Sequence, residues 1–187
     1  DKKFKKSVIE YFIDYQTPEK EWEKRKNERR QQLSEQKEVR LKATFPDMDG
    51  KTVYVRSEQE QKICFALSSL SVKFRYEEPY EHQLTDEMHS QYRPDFSIYF
   101  KQGGVTKRIY LEHFGINREG KLPWLSAVEE EKYQEGMAWK RQVHKKNGTK
   151  LLETYSYLSS EGRLLEYLDS LLKKNGVKYK EPDFTDI

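Results

Sequence analysis

Asp95–Phe100 (DFSIYF) and Arg108–Phe114 (RIYLEHF), with Gly103-Gly104 between them, decide how this chain folds. Both runs are rich in the aromatic and β-branched residues that suit a pleated surface. Two adjacent glycines can supply the positive φ angles of a tight hairpin turn. The stretch therefore predicts a β-hairpin. Downstream, Val128–Lys146 reads as a helix and Lys150–Tyr157 as a strand. Glu161–Lys174 reads as a leucine-rich amphipathic helix stopped by Asn175-Gly176. Upstream, Thr52–Val55 reads as a short strand. Ser57–Leu70 is a helix with Ile63, Ala66, Leu67 and Leu70 on one face, and Val72–Tyr76 is a strand. This order predicts an α/β fold, with a mixed central sheet of four to five strands flanked by helices.

Residues 1–50 differ in composition, being dense in both signs of charge. Phe4, Val8, Phe12 and Ile13 recur at helical spacing within Lys2–Tyr15. Glu19–Leu41 reads as a solvated helix held by i,i+4 pairs or as an extended arm. The expected organisation is a helical charged arm at 1–50, an α/β domain at 51–177 and a tail at 178–187. Aromatic residues make up 13% of the chain, which opposes wholesale disorder. No run approaches the roughly 20 apolar residues of a membrane span, and no apolar signal core opens the chain. The single cysteine, Cys64, allows neither an internal disulfide nor a cysteine-based zinc site. The expectation is a cytoplasmic protein, possible membrane partners being excluded. A net charge of +3 is too balanced to imply nucleic acid by bulk charge alone. A local basic patch runs from Lys140-Arg141 through Lys145-Lys146 to Lys150.

Three carboxylates carry the candidate chemistry. Asp95 opens the first hairpin strand and Glu112 lies late in the second, so antiparallel pairing can set them side by side. Two close carboxylates repel unless a proton or cation lies between them, and oxygen-rich sites of this kind bind Mg²⁺. The alternative is a turn-forming Pro94-Asp95 and an unrelated edge glutamate. Glu60 falls on the Ile63–Leu67 side of its helix, where a charge needs a partner. It is also the third helical position after Ser57, and taken alone the capping box is the favoured reading of it.

These residues resemble the PD-(D/E)xK, restriction-endonuclease-like nucleases. The runs VRSEQEQKI from Val55, FRYEEPYE from Phe74, YRPDFSIYF from Tyr92, IYLEHFGI from Ile109, WKRQVH from Trp139 and TKLLETYSY from Thr149 look like the nuclease-like domain within some bacterial UvrD/Rep-type DNA helicases. The resemblance spans about residues 53–177. It implies a restriction-endonuclease-like fold, Mg²⁺ or Mn²⁺ held by Asp95, Glu112 and Glu60, and DNA and other helicase domains as partners. ATP would act only in the parent helicase, outside this chain. The family places a lysine two residues after the second carboxylate, where this chain has Phe114. Lys140 is the leading substitute, because Tyr133, Met137, Lys140 and His144 share one helix face; Lys150 is the second. His144, Lys145, Lys146 and Lys150 are read as contacts to nucleic-acid phosphates, and His113 as a hydrogen-bonded core residue. Trp124, Tyr133 and Trp139 can stack on bases or serve the core.

Two other motifs are set aside. Gly115–Lys121 matches the start of a P-loop, but Leu122-Pro123 stands where a Mg²⁺-binding Ser or Thr is required. Pro182-Asp183-Phe184 repeats the PDF triplet without a following strand or partner carboxylate. The resemblance thus implies a metal-dependent DNA nuclease domain, with Asp95, Glu112, Lys140 and Glu60 as its expected catalytic residues. The competing reading is a DNA-binding module of the same fold that has lost cleavage with its motif lysine. A third is a structural insert docking other helicase domains through the N-terminal arm.

Overall fold

The computed structural model describes residues 40–84 and 92–179. The chain divides into two units, Asp1–Val39 and Arg40–Ile187. The first lies outside the described residues, and with it the helices expected there; so do His89 and the Pro182-Asp183-Phe184 triplet.

The second unit is built on a four-stranded sheet of order β3-β4-β5-β6, comprising Lys73–Tyr76, Phe96–Gln102, Val105–Phe114 and Leu151–Tyr155. The first two junctions are antiparallel and the last is parallel, so the sheet is mixed. Gly103 and Gly104, at φ 59° and 80°, form the turn between the paired Gln102 and Val105. Positive φ at both central residues is the twist-matched hairpin turn, and glycine adopts it without strain. The turn sets a register that runs unbroken to Phe96↔Leu111.

Along β5 the side chains alternate between two cores. Ile109 and Leu111 enter a large cluster with Ile63 and Leu67 of α1 (Glu58–Ser69) and Leu168 and Leu172 of α4 (Leu164–Lys174). Tyr110 packs with Val143, and Phe114 with Met137, both partners lying on α2 (Ala127–Asn147). The sheet is therefore covered on both faces. Ile63, Leu67, Leu168 and Leu172 are fully buried, each contributing roughly 1.5–3 kcal/mol. Ser126 opens α2 with a reciprocal capping box to Glu129.

Three boundaries differ from expectation. β1 (Leu41–Lys42) pairs with β2 (Tyr54–Val55), and Ala43 is 3% exposed within the main core, so this unit begins ahead of Lys51. The strand expected to reach Tyr157 stops at Tyr155 and turns into α3 (Ser156–Ser160), which buries Leu158. The last helix starts at Leu164 rather than Glu161, because Gly162 takes a left-handed φ of 69° that ends the preceding turn. Among the described residues, no helix is long and apolar enough to cross a membrane.

Candidate functional site

Extending the Phe96↔Leu111 register by one position sets Asp95 opposite Glu112. Asp95 is held by its neighbours: its Oδ2 accepts from the His113 backbone N–H at 2.7 Å, and its carbonyl accepts from Glu77 N–H at 3.0 Å. Glu112 shares the Tyr110–Phe114 face and points under α2. It is 1% exposed, yet both oxygens are occupied. Tyr92 Oη donates to Oε1 at 2.9 Å and Lys140 Nζ donates to Oε2 at 2.5 Å.

Glu60 enters the same cleft from the first turn of α1. Its backbone N–H donates to Ser57 Oγ at 3.2 Å, the cap expected from sequence. Its carboxylate does not complete a reciprocal box. Oε2 instead accepts from Arg56 N–H at 3.0 Å and from Tyr76 Oη at 2.6 Å. The capping and site readings of Glu60 are thus compatible, since different atoms serve each. Glu60, Asp95, Glu112, Lys140, Tyr133 and Phe114 all line one cleft of about 360 Å³. Among the described residues, no three His, Cys, Asp or Glu side chains converge tightly enough to cage a metal ion. The close carboxylate pair is Asp95 and Glu112.

The electrostatics follow from this crowding. Burial pushes the Asp95 carboxyl up to about 8, and the Glu112 carboxylate beside it adds to the rise. Burial also raises Glu60; the Tyr76 hydrogen bond partly opposes this and the Asp95 charge reinforces it. For Lys140, burial works against the ammonium, but Glu112 and Asp95 outweigh it and hold the amine protonated. Lys140 Nζ also lies 5.7 Å from the Phe114 ring centroid and 6.0 Å from that of Tyr92. These are cation–π distances. Phe114, two residues after Glu112 on the same strand, is 2% exposed and faces the cation that comes from α2.

The proposed phosphate contacts separate into two groups. Lys145, Lys146 and Lys150 are exposed. His144 is not a surface phosphate contact, because it is 1% exposed and its ring nitrogens are engaged by Tyr92 and Thr149. Burial and the nearby Lys140 charge lower it to about 4, leaving it neutral. The helical periodicity that put His144 beside Lys140 could equally turn it inward, and here it does. His113 is hydrogen-bonded to Thr154 Oγ1 at 2.9 Å and Gln59 Oε1 at 2.5 Å. Cys64 is buried. Tyr133 Oη accepts from Gly115 N–H at 2.8 Å, and Trp139 packs edge-on against Tyr92, whereas Trp124 is 66% exposed. The P-loop-like segment closes into a turn, Asn117 N–H to Lys121 O at 2.9 Å, and α2 starts only at Ala127.

Sequence reasoning missed Tyr92 and Tyr76, which contact two of the three carboxylates. Tyr92 lies within the YRPDF run, and that proximity to Asp95 was the available signal. Compared with protein families, curated proteins and solved structures, the chain matches none.

Proposed function

We propose that this unit is a restriction-endonuclease-like domain that hydrolyses DNA phosphodiesters with Mg²⁺ or Mn²⁺, and that it belongs to a UvrD/Rep-type ATP-dependent DNA helicase. One observation carries the nuclease reading: Asp95 and Glu112 stand side by side, with the Lys140 ammonium 2.5 Å from the Glu112 carboxylate. The helicase context rests on the sequence runs alone. The donor chemistry suits a hard cation, because Mg²⁺ commonly takes one or two carboxylates and completes its shell with water and phosphate oxygens.

Asp95 and Glu112 would hold the cation, with Glu60 a further ligand or an acceptor for a proton from the attacking water. A bound Mg²⁺ supplies neutralisation of charge building on the scissile phosphate and a more acidic water. Asp95 is the group that must give up its proton as the cation arrives, since it is the carboxyl raised to about 8. Glu60, raised and fixed by Tyr76 and Arg56, is suited to receive one. Lys140 keeps its charge and replaces the motif lysine in stabilising the phosphate.

A DNA-binding module without cleavage is favoured by a different observation. Phe114 offers no charge, and Lys140 is engaged by Glu112. Calorimetric titration with Mn²⁺, followed by nuclease assays on single- and double-stranded DNA, separates the readings. Metal binding with cleavage supports the nuclease. Salt-dependent DNA binding without cleavage supports the module, and absence of both leaves the structural insert.

A further inference from the structure

Behind Glu112 lies a chain of polar side chains, buried at Tyr80, Tyr92 and His144 and half-buried at Thr149, that the reaction scheme does not use. Tyr92 Oη contacts Glu112 Oε1 at 2.9 Å and His144 Nε2 at 3.0 Å. His144 Nδ1 contacts Thr149 Oγ1 at 2.8 Å, and Thr149 Oγ1 contacts Tyr80 Oη at 2.6 Å. The direction of every bond follows from proton counting. An ionised carboxylate only accepts, so Tyr92 spends its single proton on Glu112. Tyr92 Oη must then accept from His144, which requires the proton on Nε2. A neutral imidazole carries one N–H, so Nδ1 accepts from Thr149. Thr149 has no second proton, so Tyr80 donates to it. The rival bond, Thr149 Oγ1 to the His144 carbonyl, is longer at 3.5 Å, and that carbonyl already accepts from Thr149 N–H at 3.0 Å.

We infer that Tyr80, Thr149, His144 and Tyr92 form a one-way hydrogen-bond chain that positions Glu112 by holding Oε1, so that Oε2, which accepts from Lys140 in the metal-free protein, is the atom that would turn to a cation. This rests on the metal-site reading for its consequence, but not for its direction. The chain joins the entry to β4 with the end of α2 and the residue pair ahead of β6, so it aligns Glu112 against three separate elements. Tyr92 and His144 are positioning residues: neither would touch substrate. Tyr80, Tyr92, Tyr110 and His144 pack ring against ring, with centroid separations of 4.9–5.8 Å. Such outer partners typically change metal affinity by about 10–100-fold when removed.

Nitrogen-15 NMR of the full chain at neutral pH, without metal, reads the His144 tautomer directly. The expected result is a protonated Nε2 and an unprotonated Nδ1. A protonated Nδ1, or a doubly protonated ring, overturns the inferred direction. Thr149→Val, which removes the donor to Nδ1 at nearly constant volume, should shift the unprotonated Nδ1 resonance downfield while the proton stays on Nε2; an unmoved Nδ1 resonance in a folded variant also overturns it. Calorimetry with Mn²⁺ on Tyr92→Phe tests positioning, with an expected loss of about 10-fold or more in affinity. Unchanged affinity beside a wild type that binds Mn²⁺ refutes the positioning role alone. A wild type that does not bind Mn²⁺ refutes the metal site and positioning together, while the spectrum still decides the chain's direction.

Discussion

Asp95→Asn should stabilise the metal-free protein at neutral pH and remove its response to metal. Folding carries the Asp95 carboxyl from an ordinary 3.8 to about 8. The folded state therefore binds a proton that the unfolded state has released at pH 7. At about 1.4 kcal/mol per pH unit, this disfavours folding by about 4 kcal/mol at pH 7. A raised carboxyl leaves stability intact below about pH 4 and lost progressively until about pH 8, so wild-type stability should fall across that window. Asparagine is neutral throughout, keeps an oxygen for the His113 N–H, and brings an amide that can donate to Glu112. Relief of about 2–4 kcal/mol at pH 7 is expected, or a melting temperature raised by about 5–15 °C for a unit of this size. Thermal unfolding in EDTA, followed by circular dichroism at several pH values, measures it. The gap between variant and wild type should open with rising pH. Mn²⁺ should then narrow it, since an ion at a hundred times its Kd adds about 2.7 kcal/mol to a protein that binds it. A variant less stable than wild type at pH 7, or a gap that does not change with pH, would refute the carboxylate-repulsion argument.

Lys140→Ala should abolish any nuclease activity while Mn²⁺ affinity stays at least as tight, because the ammonium that occupies Glu112 Oε2 is gone. The same variant should be less stable without metal by about 3 kcal/mol, a buried carboxylate having lost its cation, and urea unfolding in EDTA checks this. Replacing Lys145 and Lys146 together with alanine should weaken DNA binding uniformly across sequences and lower the salt slope by about two, readable by fluorescence anisotropy against salt concentration. Leu168→Ala, at a fully buried position between α4 and the sheet, should destabilise by about 2–5 kcal/mol in the same urea assay.

Much of the carboxylate pair was legible in the chain alone. A two-residue glycine turn dictates register, and register carried along two strands places residue 95 against residue 112 without tertiary information. Strand alternation likewise puts Phe114 on the Glu112 face, and the 3.6-residue period puts Met137, Lys140 and His144 on one side of α2. These are local rules, set by backbone geometry over a few residues. They leave open what meets each face. His144 became a buried neutral acceptor and donor rather than a phosphate contact because Tyr80 and Tyr92 close over it. Those residues lie more than fifty positions upstream, and no periodicity in α2 records them. Glu60 owes its partner Tyr76 to the packing of α1 beside the sheet. Leu41–Lys42 joined the α/β unit through a strand partner beyond an intervening turn, although the local charge density read as an arm. Local periodicity determined which residues could share a face; long-range packing decided their burial, and with burial their charge.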